Sequence, residues 1–365
     1  MELRRTLGFR DLAGQLRGAL DQFAGVERVP FWLVAVMLLA YIACIGPLDY
    51  YFVKRVLGRT EATWLTFSIT VLVFSLGGYA LAYGLKGREL RVNQLDLVDF
   101  DYESKLIRGT SWSTVFSPRM DTYNLSLRRI DDLAGDAPEV IFSWQGLPGN
   151  GFGGMNPPAG SMLLFRQPYD FSRNLDGLDR VPIASWSTKA FMSRWSASGT
   201  GQIEAHLSDE RKLVGTLTSH LDTALTDAVL IYDRWAYPLR RLEPAQHVDI
   251  SELDPQTVDT YFRHVTVVGE RDISRPYDRA SFDVERIVEV MTAHELVGGE
   301  GYTGLSNQYQ AFVELSSLVK NGRAVLVGRQ ARRATELLRD GESLESEGTG
   351  QHWSFYRYVF PVEGK

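Results

Sequence analysis

Two runs, Phe31–Leu48 (FWLVAVMLLAYIACIGPL) and Thr63–Tyr83 (TWLTFSITVLVFSLGGYALAY), decide how this chain is read. Neither contains a charged residue. At about 1.5 Å of rise per residue, runs of about 18 and 21 residues can cross a hydrocarbon core about 30 Å thick, the first only just. Gly46 and Pro47 are expected to end the first span, where a missing helical hydrogen bond costs least. Trp32, Tyr50, Tyr51, Trp64 and Tyr83 mark the edges, where amphipathic rings favour the headgroup level. The spacing predicts a transmembrane hairpin over 30–85, with spans at 31–48 and 63–83 and a connector at 49–62. Two uncharged runs with aromatic flanks argue against a helical pair buried in a soluble core. The first run is not a cleaved signal peptide: it starts thirty residues in, lacks a small-residue cleavage site and is followed by a second span.

The flanks carry the polar information. Trp32, Asp49, Lys54, Arg55, Arg59 and Trp64 are the candidate membrane-interface residues. Asp49 has Lys54 or Arg55 as a candidate partner; the plainer role is an interfacial helix cap. Within the N-terminal segment 1–29, Phe9, Leu12, Leu16, Leu20 and Phe23 share one helical stripe. Such a stripe suits a helix lying on the membrane or one packing on the folded part of the chain. Both ends of a two-span chain lie on one side. Arg4, Arg5, Arg10, Arg17 and Arg28 before the first span, against Lys54, Arg55 and Arg59 in the connector, would put that side in the cytoplasm.

A resemblance points to the opposite side. IGPLDYYFVKRVLGRTEATWLTF, FSLGGYALAYGLKGRELRVNQLDLVDFD and TVFSPRMDTYNLSL resemble a group of uncharacterised bacterial envelope proteins. In those, a GP-x-DYF-x-x-(K/R)R connector joins two spans and an FSPR segment lies in a β-rich domain beyond them. The resemblance covers most of residues 20–360 and brings no established activity with it. It implies both termini outside the cytoplasm, a bacterial cytoplasmic-membrane location, and a Met1 that opens a shortened form of a longer architecture. GTLTSHLDTALTDAVLIYDRWAYPLRRLEP is similar to the same group's sandwich segment, with Arg240 and Ala245 standing where glycines are expected at turns.

Composition bounds the rest. The chain has 365 residues and a formal net charge of −6, which leaves no electrostatic footprint for nucleic acid. Its one cysteine, Cys44, lies inside the first span, so no intrachain disulfide or cysteine-based zinc site can form.

Short alternating segments with polar turns predict a β-sandwich over 86–252. They are Leu90–Leu97, Ile107–Phe116, Tyr123–Leu127, Val140–Trp144, Gln202–Leu207, Leu213–Thr218, Ala228–Tyr232 and His247–Ile250. A phase slip at Asn93-Gln94 suggests a bulge. From 253 to 365 the pattern reads as an α/β lobe. It holds a helix capped at Ser281 with Val284, Ile287, Val288 and Met291 inward, a hairpin at Asn321-Gly322, a short helix at Ala331–Arg339, and a last strand, Trp353–Val362. That strand is apolar on both faces and hence central.

The motifs with chemical potential dissolve one by one. Gly149, Gly151 and Gly154 match G-x-G-x-x-G, but Asn156-Pro157-Pro158 follows where a dinucleotide fold needs a helix start. His294-Glu295 lacks the second histidine of the zinc-protease motif, since residue 298 is glycine. Ser317–Lys320 matches S-x-x-K without its companion tripeptides. Asn174, Asp176 and Asp179 do not fit a calcium loop. The Gly146–Gly160 loop, with Gly149, Gly151, Phe152 and Gly154, could combine with Trp186, Phe191 and Trp195 as a ligand or carbohydrate-stacking face; core packing is the commoner use of such aromatics.

The expected protein is therefore membrane-anchored and mainly β, with no cofactor and no metal. Its expected role is non-catalytic, a β-rich platform for an envelope protein partner, with membrane lipid around its anchor. The alternative is an extracytoplasmic module that binds or cleaves envelope polysaccharide. Burial of the two tryptophans decides between them.

Overall fold

The structure is a computed structural model and describes residues 9–26, 30–58, 62–86, 89–130, 139–145, 169–199, 201–268, 271–344 and 350–364. The chain divides into two compact units, Met1–Gln22 with Leu90–Lys365, and Phe23–Glu89.

In the smaller unit, α2 (Phe31–Ala43) does not stop at Pro47. A π-helical turn at Cys44–Leu48 carries the helix on into α3 (Asp49–Phe52) and a second π-turn, Val53–Leu57. Proline lacks the N–H that an α-helix needs and crowds the carbonyl four residues back. Widening to a π-turn relieves both problems, so the expected break becomes a bulge. Gly58, at φ +63°, is what ends the helix, because glycine takes the left-handed conformation without steric cost. The second long helix is α4 (Thr63–Lys86). The two run antiparallel. Tyr41 meets Phe74 edge-on at 5.4 Å, and a Cβ on Gly78 would lie 3.4 Å from Met37 Cε. That register places Trp32 level with Tyr83, and Tyr51 level with Trp64.

The larger unit is mainly β. It opens with α1 (Leu12–Leu20). Its strands begin with β1 (Arg91–Asp101), β2 (Leu106–Ser117), β3 (Asp121–Arg129), β4 (Glu139–Gln145), β5 (Asp170–Phe171), β6 (Gly177–Ile183) and β7 (Ser187–Ser198). Next come β8 (Ile203–Asp209), β9 (Leu213–Ser219), β10 (Leu225–Tyr232), β11 (Trp235–Leu242), β12 (His247–Asp249) and β13 (Gln256–Thr257). After α5 (Val258–Phe262), β14 (Thr266–Val268) and β15 (Arg271–Ile273) come α6 (Val284–Thr292), α7 (Gly299–Thr303) and α8 (Ser316–Lys320). The chain closes with β16 (Ala324–Arg329), β17 (Thr335–Arg339), β18 (Glu342–Ser343) and β19 (His352–Phe360).

A nine-stranded sheet, in the order β13-β11-β10-β16-β19-β1-β2-β7-β4, spans the unit. Among the described residues, only β1 and β19 pair in parallel within it. On one face, α1, α6 and the segments around them bury Leu12, Leu16, Leu20, Ile287, Val288 and Met291 against Leu95, Leu97, Trp112 and Phe355. On the other face lie a three-stranded sheet (β12-β9-β8) and a five-stranded one (β18-β17-β3-β6-β5), each over its own apolar cluster.

Four expectations change. The large sheet crosses the expected boundary at 252 with more than the final strand: β16 as well as β19, both from the expected α/β lobe, sits in its middle. Thr335–Arg339 is a strand rather than a helix; antiparallel pairing with β3 overrides its helical propensity. Asn321-Gly322 ends a helix rather than turning a hairpin. Arg323 N–H donates to Leu318 O at 3.1 Å and Gly322 N–H to Val319 O at 3.2 Å, with Gly322 at φ +81°, the paired bonds of a left-handed helix cap. The phase slip in β1 is no bulge, since its pairing with β2 runs unbroken from Arg91↔Phe116 to Asp101↔Leu106.

α1 resolves the open question about the amphipathic stripe: it packs into the core of the larger unit. Asp11 caps it through Ala13 N–H at 2.9 Å. The same carboxylate accepts from Ser306 Oγ and Gln308 N–H, at 2.7 and 2.8 Å. Burial of Leu12, Leu16 and Leu20 contributes about 1.5–3 kcal/mol each.

Candidate functional site

The aromatic face expected around Trp186, Phe191 and Trp195 does not assemble. Phe191 is fully buried, stacked 5.3 Å from Phe142 beneath the five-stranded sheet. Trp195 is 4 % exposed and belongs to the cluster under the three-stranded sheet. Its indole occupies space left by Gly109 directly across β2, and the Arg129 guanidinium lies 5.5 Å from its ring. Both face inward because alternate residues of a central strand serve the core. Buried rings cannot stack on a ligand, so the carbohydrate-binding expectation fails at these two positions. Trp186 is half-buried in the turn before β7, at φ +55°. Gly149, Gly151, Phe152 and Gly154 lie outside the described residues, as does Arg59.

The interface residues divide. Trp32 and Trp64 are strongly exposed at opposite ends of the hairpin. Lys54 donates to the Tyr50 hydroxyl at 3.2 Å and lies 5.3 Å from its ring, so it engages Tyr50 and not Asp49. Arg55 is exposed. Asp49 is buried, one turn before Val53, which is also buried.

Sequence reasoning missed a set of buried polar joints. Asp96 is fully buried in β1. It accepts from Thr335 N–H and Oγ1 at 3.0 and 2.7 Å, Ala334 N–H at 3.2 Å, Gln94 Nε2 at 3.0 Å and His352 Nε2 at 3.0 Å. Burial alone would raise its pKa, but the hydrogen bonds and charge of His352, with the Ser111 and Thr335 hydroxyls, hold it below the usual carboxylate range. Asp96 thus fastens the large sheet to β17 of the five-stranded one. Nearby, Arg357 is fully buried and grips Asp99 through Nε at 2.5 Å and Nη2 at 2.8 Å. Its Nη1 donates to Val313 O, tying the sheet to the segment before α8.

Asn93 is the third joint. Its amide donates to Leu20 O at 2.9 Å and Gln22 O at 2.8 Å, and its Oδ1 accepts from Gln351 N–H at 2.9 Å. The chain leaving the larger unit after Gln22 and the chain re-entering it at β1 are therefore pinned together. The sequence did signal these joints: Asn93, Gln94 and Asp96 are the polar residues that upset the alternation of β1.

No catalytic arrangement emerges from the histidines. His206 and His220 both approach the exposed Glu204, at 3.1 and 3.6 Å. His294 is buried, with Nε2 near Thr303 Oγ1 and Leu305 O. Among the described residues no three His, Cys, Asp or Glu side chains form a metal-holding group. Burial pushes Lys189 down to about 8 and pushes Glu289 and Glu314 up. These groups sit on β7, on α6 and before α8, and no hydrogen bond or ion pair among the described residues joins one to another.

What the smaller unit offers is physical. Its two helices are long and apolar enough to cross a membrane, Phe31–Arg55 with 25 residues and Thr63–Leu81 with 19, and no residue of either apolar window is buried.

No family model matches the chain, and no curated protein matches it. Among solved structures, the yeast delta-COP-I mu-homology domain complexed with a Dsl1 WxWxV peptide aligns at 7 % identity and TM-score 0.32. The alignment covers 75 % of this chain and 98 % of that one. The same domain alone aligns at 8 % identity with the same coverage and TM-score. A likeness this slight assigns neither fold nor role.

Proposed function

We propose that this chain is a membrane-anchored, non-catalytic protein of the bacterial envelope. Its β-rich, sandwich-like unit lies outside the cytoplasm and presents a surface to an envelope protein partner. The observation that carries the reading is the exposure of the hairpin. Its apolar side chains point outward along both helices, an arrangement stable in lipid and unstable in water, where each exposed Leu, Ile or Phe forgoes about 1.5–3 kcal/mol of burial. Paired aromatic levels, Trp32 with Tyr83 and Tyr51 with Trp64, fit two headgroup belts. The larger unit takes chain from before and after the hairpin, which requires an even number of crossings and suits two spans. The side is taken from the resemblance in the connector and FSPR segments.

Fractionation and labelling test this. The protein should sediment with membranes and resist alkaline carbonate. In intact cells a Lys212→Cys variant should react with a membrane-impermeant maleimide, while Cys44 within the span stays unreactive. Release by carbonate would refute the anchor. Labelling only after the cells are opened would place the large unit in the cytoplasm.

A further inference from the structure

The larger unit cannot be completed by either part of its chain alone. α1 precedes the hairpin, and the elements it packs on, β1, β2 and α6, follow the hairpin. Leu12, Leu16, Ala19 and Leu20 are all within 2 % of full burial against β1, β2 and α6. Polar bonds fix the helix as well as apolar ones. Gln15 is fully buried; its Nε2 donates to Asp278 O and Ser281 O at 3.0 Å, and its Oε1 accepts from Tyr277 at 2.7 Å. Leu12 N–H donates to Ser306 O at 2.9 Å, and Asn93 closes the far end. Without α1, the apolar faces of Leu97, Trp112 and Met291 would meet water, and Gln15's three partners would lose their bonds.

We propose that α1 is a topology check: the extramembrane unit closes only when the hairpin has crossed the membrane twice, returning β1 to the side that holds α1. A chain that crosses once strands α1 on the far side and leaves its seat open, which marks the mis-inserted protein for proteolysis. The inference rests on the anchor reading above and adds a consequence that the reading does not require.

The test uses full-length chains in membranes, with parity as the variable. One uncharged helix of about 20 residues, inserted after Val26, moves α1 to the opposite side; two such helices bring it back. In a third variant, Leu16→Arg leaves the crossings alone and spoils the seat. Each is exposed to limited proteolysis, with the N-terminus labelled to report its side. The expected result is a resistant extramembrane fragment from wild type and from the two-helix variant. The one-helix and Leu16→Arg variants should lose that fragment at least ~10-fold faster, because cleavage tracks the population of opened molecules. Wild-type resistance in a one-helix variant whose N-terminus is labelled on the far side would overturn the proposal, as would wild-type resistance in Leu16→Arg. If the wild type itself leaves the membrane in carbonate, the anchor reading has failed first, and the parity series is not needed to see it.

Discussion

The hairpin and the larger unit sort their side chains in opposite ways. In α2 and α4 most leucines, valines and phenylalanines are exposed, while Asp49, in α3, is buried. In the β unit the aliphatic side chains fill three clusters, and Asp96, Arg357 and Asn93 are bonded into joints inside, Asp96 above all. Outward apolar side chains suit a lipid surround, and inward ones suit water. The contrast teaches that exposure has meaning only relative to the surrounding medium, and that in each region the minority residues carry the specificity.

The comparison breaks most visibly at the Arg357–Asp99 joint. Arg357→Ala leaves the Asp99 carboxylate without its bidentate partner and frees Val313 O on the segment before α8. Removing one member of a buried pair costs about 3–5 kcal/mol, so the thermal midpoint of the detergent-solubilised protein should fall by many degrees. The double change Arg357→Met/Asp99→Leu should recover much of the loss. A small effect from Arg357→Ala would mean that the pair is wet and that the β core is less strictly sorted than described.

Next in size is Gly109→Ala. A Cβ there would fall 2.0 Å from Trp195 Cε2 and 2.2 Å from Nε1. Overpacking of this kind costs about 1–3 kcal/mol, occasionally more. Trp195→Leu should rescue it, since the smaller side chain clears the new methyl. If Gly109→Ala is harmless by denaturant titration, Trp195 is not held where the buried assignment puts it, and an exposed tryptophan face would regain interest.

Acid sharpens the contrast further. The folded-state pKa of Asp96 is lowered, so the native form binds its proton less readily than the unfolded chain. Its contribution is fully present above the unfolded carboxylate range near pH 4 and is lost as pH falls through the folded value. Asp96→Asn should remove about 1–3 kcal/mol at neutral pH and flatten the acid limb of a stability-against-pH curve. An unchanged acid limb would mean that His352 and Thr335 do not hold the carboxylate in its charged form.

Much of this was legible from sequence, and the failures share a cause. The two apolar runs were plain because uncharged stretches of that length have few other uses. Most β segments followed from alternation. The slip in β1 was misread because Asn93 and Gln94 look like solvent-facing residues, and only their distant partners, Leu20, Thr335 and Gln351, show why they are inside. The helical reading of Ala331–Arg339 failed for the same reason: local propensity cannot see β3. Pro47 was read as a terminator because a π-turn leaves no composition signature. For the ligand surface, Trp195 was ambiguous, since an aromatic in an alternating strand faces in or out according to register, and register is set by Gly109 on another strand.

The smallest predicted effect tests an irregular position in β11 and the turn after it. Arg240 and Ala245, noted in the sequence as standing where glycine was expected, have φ of +62° and +58°. A side chain in the left-handed region costs roughly 1–2 kcal/mol, and glycine returns part of that gain through extra freedom in the unfolded chain. Arg240→Gly and Ala245→Gly should each stabilise the protein by about 0.5 kcal/mol, and their effects should add to within about 0.3–0.5 kcal/mol if the sites are independent. The gain should appear in the β unit alone, because neither residue lies in the hairpin. Glycine at Leu16, which sits mid-helix within α1, must instead destabilise, since it loses both burial and helical propensity. If glycine destabilises these two positions as well, the backbone there is not left-handed, and the pairing of β10 with β11 must be redrawn around Arg240.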